Sequence, residues 1–481
     1  MIITAQDLYN FTKCKHRVYL DSNGDPAERA EVSSFVKLLW EMGLQTEQDY
    51  LASLGEGEFE NLTGLSIDQA AEKTLELMQA GAPLIYQGVL RHDDLSGRPD
   101  VLLKRNDAGS GFGDYYYEPV DIKAGRGWEV RDGKKTRFKE HYAFQILFYH
   151  KLLGELQGHL PPTGRIINVD REFEEFDPAD FTISFESAFN EVRKLVNGKE
   201  TSEPVLGSTC HQCQWYLRCR KWAEDRQDPT LLFFVGKNKF QLKEKGLTTV
   251  RDIARMDIAT MLKPANKIPR LGKATLERMK QRAEVILAGR PLILPGYTFP
   301  RYSLEVYFDI EDDPTRDHTY LYGLVEVRDG GAGQYKYFLA ERPDGEEQAV
   351  RAFWDYLANL EETVIYVYSH KERSSLKNLM EKYDLDPDVY DKYLGYEYDM
   401  YQDLVVKYSD WPTYSYGLKR IASLTGFSWR DEDPGGANSI AWYNDYLKDT
   451  SNQAVLQRIL DYNEDDCRSM ITVKRYFEER L

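Results

Sequence analysis

Between residues 303 and 313 the chain reads SLEVYFDIEDD, and this alternation constrains the fold more than any other stretch. Leu304, Val306, Phe308 and Ile310 are interleaved with Glu305, Tyr307, Asp309 and Glu311. A period of two puts the apolar set on one face of a β-strand and the other set on the opposite face. One face must therefore be covered by a hydrophobic layer, while the other carries Asp309 and Glu311 side by side. Two more strands are predicted in HTYLYGLVEV and TVIYVYS, and helices follow, ending in LQRILDYNEDDCRSMITVKRYFEERL. That order predicts an α/β domain. It begins after PLILPGYTFP, whose three prolines read as a linker.

A chain of 481 residues is too long for one ordinary domain, and at roughly 150 residues each about three are expected. Helical spacing of apolar residues covers 30–55 and 68–80. GRPDVLLKR and YYYEPVDIK read as two strands of a hairpin, with NDAGSGFG as the loop. HYAFQILFYHKLL reads as an amphipathic helix and RIINVD as a further strand. GLTTVRDIARM and IPRLGKATLERMKQRAEVIL read as short helices broken by Gly and Pro. The domains expected are 1–228, 229–296 and 297–481. No run of about 18 apolar residues and no secretory leader is present, so a cytoplasmic protein without a membrane partner is expected.

The net charge of −17 argues, taken whole, against nucleic acid as a partner. The distribution argues otherwise. Residues 236–290 hold 14 Lys/Arg against 5 Asp/Glu, whereas 301–481 hold 21 against 36. A basic middle between acidic flanks is either a set of solvated helix faces or a nucleic-acid contact surface joining two carboxylate sites.

The first carboxylate set lies in the hairpin. Asp121 and Lys123 are two apart and share a strand face, and Asp100 opens the partner strand. Glu47 lies on an upstream helix, and Gln145 and Tyr149, at i and i+4, share a helix face. Such carboxylates can hold a divalent metal that activates water, while the lysine stabilises charge at a scissile phosphate. Taken alone, D-x-K is also a common surface charge pair. The combination of PD…DIK, a preceding G-x-x-x-E and a following Q-x-x-x-Y resembles the RecB-like branch of the PD-(D/E)XK nucleases over roughly residues 1–225. That family often has His where Glu47 stands. The resemblance implies a restriction-endonuclease-like core with Glu47, Asp100 and Asp121 as Mg2+ or Mn2+ ligands. It implies Lys123 as the catalytic lysine, and Gln145 and Tyr149 as substrate-side or supporting residues.

Three of the five cysteines fall in CHQCQWYLRC, at Cys210, Cys213 and Cys219. Few cysteines in a reducing compartment point to metal or redox use rather than disulfides. RecB-like nucleases of the AddB and CRISPR-adaptation type carry an iron–sulfur staple, with one cysteine before the core and three after it. Cys14 occupies the first position. The resemblance implies a 4Fe–4S cluster; four thiolates also suit zinc. Cys467 is expected to be a small buried helix residue.

A second set joins Asp309 and Glu311 to Tyr462 and Asp466, which are i,i+4 on the last helix. A D-x-E strand with a Y-x3-D helix resembles the DEDD exonucleases of the RNase H-like fold. The resemblance implies two metals about 4 Å apart and a tyrosine that orients water. Glu372 is the expected further carboxylate, with Asp403 as the fallback. The joint layout resembles predicted RecB-family nucleases that pair both domains.

KIPRLGKATLERM resembles a helix-hairpin-helix element, in which Lys267, Arg270, Lys273 and Arg278 would attract phosphates. A plain helical spacer is the other reading. The function expected is a metal-dependent nuclease acting on DNA, as an exonuclease on single strands or ends. The alternatives are an RNA 3′-exonuclease using the C-terminal site and a non-catalytic DNA-end binding module. Nothing resembles a P-loop, so unwinding would require a separate helicase as partner.

Overall fold

The hairpin anticipated from GRPDVLLKR and YYYEPVDIK lies at the centre of a six-stranded sheet. Strands β1 (Glu60–Asn61), β2 (Leu84–Tyr86), β3 (Val101–Arg105), β4 (Tyr116–Ile122), β5 (Gly164–Ile167) and β6 (Phe173–Phe176) follow one another across it in chain order. β3 and β4 are antiparallel with Val101 opposite Val120, while β4 and β5 run parallel. This computed structural model describes residues 1–54, 58–131, 134–314 and 316–481. They fall into two compact units, 1–32 with 36–204 and 33–35 with 205–481.

In the first unit, helix α1 (Ser34–Ala52) carries Glu47 and helix α2 (Glu140–Gln157) joins the β4 side of the sheet to β5. The sequence predicts an amphipathic α2, but residues 143–150 are buried without interruption. The physical reason is that α2 is covered on more than one side. Phe144 and Phe148 share one core with Tyr117 and Ile166 of the sheet and with Phe185 and Phe189 of helix Thr182–Val196. A helix that is apolar all round is an interior helix. Its C-terminal end is clamped to β4, where Tyr117 N donates to Gln157 Oε1 (2.8 Å) and Gln157 Nε2 donates to Tyr117 O (2.9 Å).

The second unit contains a five-stranded sheet: β7 (Leu304–Asp313), β8 (His318–Arg328), β9 (Gln334–Leu339), β10 (Thr363–Val367) and β11 (Glu397–Asp399). Its spatial order is β9-β8-β7-β10-β11. β7, β8 and β9 are antiparallel neighbours, and β10 and β11 run parallel to β7. The edge strands β9 and β11 do not stand out in the sequence: β9 is half exposed and β11 has three residues. The period of two in β7 is used as expected. Leu304, Val306, Phe308 and Ile310 pack with Phe353 and Leu357 of helix α4 (Glu346–Ala358). The opposite face turns to helix α6 (Gln453–Glu478), whose Met470, Val473 and Phe477 pack with Tyr307 and Val325.

The basic stretch of residues 236–290 forms short helices around its own apolar cluster, and helix α3 (Lys273–Ala288) closes it. α3 is bound to the rest of this unit through Asp410, which is fully buried, forms an ion pair with Arg278 Nε (3.0 Å) and accepts from Arg282 Nε (2.9 Å) and Gln281 Nε2 (2.8 Å). Strand Leu292–Ile293 pairs with Ser409–Asp410 beside it. Among the described residues, no helix is long and apolar enough to cross a membrane.

Candidate active site

The acidic face of β7 meets α6 at three carboxylates. Asp309, Glu311 and Asp466 each place one oxygen within 4.8 Å of the others. No other three or more His, Cys, Asp or Glu ligand atoms come this close among the described residues. The strand supplies two acids because i and i+2 share a face, and the helix brings the third across the gap.

Three residues that the sequence reading missed, Asn463, Trp429 and Lys419, hold the acids in place. Asn463 Nδ2 donates to Asp309 Oδ2 (3.0 Å) and Glu311 Oε1 (3.5 Å), and its own oxygen accepts from Tyr335 OH (3.0 Å). Gly323 of β8 lies opposite Asp309 and makes room for this amide, since a Cβ there would stand 1.6 Å from Asn463 Oδ1. Asp466 accepts from Trp429 Nε1 (2.7 Å) and from Lys419 Nζ (3.1 Å), and Lys419 also donates to Tyr462 OH (2.7 Å). Asn463 sits between Tyr462 and Asp466 in YNEDD, and Lys419 in YGLKRIASL; neither position carries a spacing signal of its own.

Burial pushes the Asp309 carboxyl well above the usual carboxylate range, and the charges of Glu311, Asp466 and Glu372 push it further. Burial, then Asp466, raise Glu311 to about 7. Glu372 occupies the first turn of helix α5 (Lys371–Tyr383), is buried and accepts from Ser369 Oγ at 3.3 Å. Burial raises it to about 7 as well, and it stays outside the group of three. The fallback residue Asp403 is exposed on the turn Met400–Val406. Cys467 is fully buried, and its thiol donates to Gly323 O at 3.4 Å.

In the first unit, the N-terminal residues form a second polar network. Tyr86 OH donates to Glu47 Oε2 (2.8 Å), and Gln87 Nε2 reaches Glu47 Oε2 (3.4 Å) and Asp100 Oδ1 (3.1 Å). Asp100 Oδ2 accepts from Ile122 N (2.8 Å), Asp121 Oδ1 from Asp100 N (3.4 Å), and Asp121 Oδ2 from Lys123 Nζ (2.8 Å). Burial and then Asp121 raise the Asp100 carboxyl well above its usual range, and burial raises Glu47. Asp121 and Asp100 drive Lys123 upward against its burial. On α2, Tyr149 OH donates to Arg98 O at 3.3 Å, while the buried Gln145 Oε1 has no hydrogen-bond partner among the described residues. Glu47, Asp100 and Asp121 are linked through this network but do not reach the spacing of the C-terminal three.

The cysteines belong to different units: Cys14 caps the helix Ala5–Lys13, and Cys210, Cys213 and Cys219 belong to the second unit. Cys210 and Cys213 are joined through a 3-10 turn (Cys213 N to Cys210 O, 2.9 Å), and Cys219 lies on helix Tyr216–Arg226. All four are half-buried and none is in a disulfide. Lys267, Arg270 and Lys273 are exposed around the turn that precedes α3. Arg278 is instead turned inward on Asp410 and on the carbonyls of Val406 (3.3 Å) and Ser409 (2.8 Å).

Residues 306–478 match the family RNase_H_2 of the RNase_H superfamily. No curated protein matches the chain. The match runs from Val306 of β7 through β11 and takes in all three clustered carboxylates, so this part of the chain is an RNase H-like domain with an acidic group able to hold metal.

Proposed function

We propose that this protein is a metal-dependent nuclease that hydrolyses phosphodiester bonds in DNA at Asp309, Glu311 and Asp466, as an exonuclease on single strands or ends. The observation that carries this reading is the convergence of these three carboxylates within 4.8 Å in the RNase H-like domain. An all-oxygen carboxylate set fits the hard cations Mg2+ and Mn2+. Burial first and mutual repulsion second push Asp309 and Glu311 upward, as buried acids crowded together display. Bound Mg2+ or Mn2+ would supply charge stabilisation at the attacking and leaving oxygens. The chain's own residues position the ligands. Asn463 aligns Asp309 with Glu311, while Trp429 and Lys419 fix Asp466. Tyr462, whose OH accepts from Lys419 one helical turn from Asp466, is proposed to orient water.

The first unit is proposed as a second, RecB-like nuclease site. The linked set Glu47, Asp100, Asp121 and Lys123 and the unpartnered Gln145 oxygen favour it. A 4Fe–4S cluster on Cys14, Cys210, Cys213 and Cys219 is proposed on the sequence resemblance alone, four thiolates being the ligand set it takes; among the described residues Cys210, Cys213 and Cys219 do not come together as a group of three ligand atoms within 4.8 Å. Iron in anaerobically purified protein is the expected reading; stoichiometric zinc without iron would refute it. Duplex unwinding is assigned to a separate helicase.

The test is cleavage of end-labelled single-stranded DNA, duplex DNA and RNA in Mg2+ or Mn2+, with Asp309→Ala and Asp121→Ala beside the wild type. Loss of DNA cleavage in Asp309→Ala supports the C-terminal site, and loss in Asp121→Ala supports the N-terminal one. Preference for RNA would replace DNA as substrate. Tight binding without turnover by the wild type would make the protein a DNA-end binding module.

A further inference from the structure

Lys419 has a second role in the geometry. Its ammonium touches Asp466 and Tyr462, and its side chain also lines a cleft of about 360 Å3 in the same unit. The cleft runs between helix Tyr216–Arg226 and the segment 412–423. Its wall holds His211, Arg220, Lys419 and Arg420 against one acid, Glu224. This is an unusual surface for a region where 301–481 carry 21 basic against 36 acidic residues. Arg220 is paired with Glu224 at 2.8 Å. Arg420 is exposed, its Nε donates only to Thr413 Oγ1 at 3.2 Å, and among the described residues no carboxylate pairs with it. Two rings complete the wall, with Tyr216 OH and Tyr414 OH in mutual hydrogen-bond contact and His211 against Tyr216 at 4.7 Å between centroids.

A guanidinium without an acid partner, neighbouring hydroxyls and aromatic faces make a nucleotide site: the guanidinium takes a phosphate, and the rings take a base. The volume lies at the small end of ligand clefts, which run from about 300 to 1,000 Å3, so it fits about one nucleotide and excludes a duplex. We propose that this cleft seats a nucleotide of single-stranded nucleic acid next to the scissile phosphate. Arg420 is on its phosphodiester, Tyr216 and Tyr414 are against its base, and Lys419 marks the junction with the carboxylates. This rests on the nuclease reading and adds to it a subsite for the strand, the cleft past Arg420.

The experiment uses the full chain and a fluorescein-labelled 12-nucleotide oligothymidylate. Binding is followed by anisotropy in Ca2+ over a salt series, and cleavage in Mn2+. Arg420→Ala is expected to weaken binding about tenfold and to raise KM by a similar factor with little change in kcat. It should also reduce the slope of log affinity against log salt by about 0.7, the value for one single-strand phosphate contact. Arg420→Lys should recover most of the affinity. Ser423→Trp, which fills the cleft from an exposed rim position, should weaken binding in the same way and secures the test if Arg420→Ala melts early. A 12-base-pair duplex should bind more weakly than the strand.

If the wild type cuts and Asp309→Ala does not, yet both cleft variants bind and cut as the wild type does, the cleft assignment is overturned and the nuclease reading stands. If the wild type cuts nothing, the nuclease reading falls. The anisotropy series then decides the cleft alone: weaker binding in both variants supports it, and unchanged binding overturns it.

Discussion

At the scale of single residues, the candidate site depends on one absent methyl group. Gly323 is needed for space: Asn463 occupies the volume that any side chain on β8 would fill opposite Asp309. Gly323→Ala should therefore destabilise the protein by about 1–3 kcal/mol, the usual cost of overpacking, and displace the Asn463 amide from both acids. Adding Asn463→Ala should recover most of the stability and none of the activity, which a double-mutant cycle of thermal midpoints and cleavage rates would check. The acids also predict a pH signature. Burial, then the charge of Asp466, push Glu311 up to about 7 in the folded chain from an ordinary 4.5. Between these values the folded state keeps a proton that the unfolded state has lost, so this residue makes stability fall as pH rises from about 4.5 to 7. In EDTA, the thermal midpoint of Glu311→Gln should therefore fall less than that of the wild type across this window. Mn2+ should raise the wild-type midpoint more at pH 8 than at pH 6, where protons compete for the same oxygens.

At the scale of elements, β7 was legible because its period of two is carried by eight consecutive residues, Leu304 to Glu311. β9 and β11 were not, since QYKYFL is a half-exposed edge and EYD is too short to show a period. Helix α2 was legible as a helix, but its environment was not. A run such as AFQILFYH reads as one apolar face until neighbours are seen on its other sides. Its clamp on β4 gives a further prediction. Gln157→Leu leaves the buried N–H and C=O of Tyr117 without partners, at about 1–3 kcal/mol for each group. Denaturant unfolding should move to lower midpoint, and hydrogen exchange at the Tyr117 amide should accelerate.

At the scale of the whole molecule, the basic stretch and the RNase H-like domain lie in one compact unit. Asp410 is the reason in side-chain terms, because a buried carboxylate with Arg278, Arg282 and Gln281 around it cannot lose α3 cheaply. Removing one side of a buried ion pair costs roughly 3–5 kcal/mol. A fragment 205–481 is therefore expected to unfold cooperatively, and a fragment 297–481 to melt at markedly lower temperature; circular dichroism melts compare them. What the sequence determined by itself is local and periodic: the alternation of β7, the D-x-E pair it presents, the i,i+4 placement of Tyr462 and Asp466, and the hairpin that carries Asp100 and Asp121. What only the tertiary structure decided depends on distance between residues far apart in the chain. That includes the meeting of Asp466 with Asp309 and Glu311, the exclusion of Glu372 from that group, and the recruitment of Asn463, Trp429 and Lys419. It also turned Arg278 inward while leaving Arg420 exposed. Periodicity fixes which face a side chain takes, because backbone geometry sets it residue by residue. Which groups then meet is fixed by packing, and packing has no local signature.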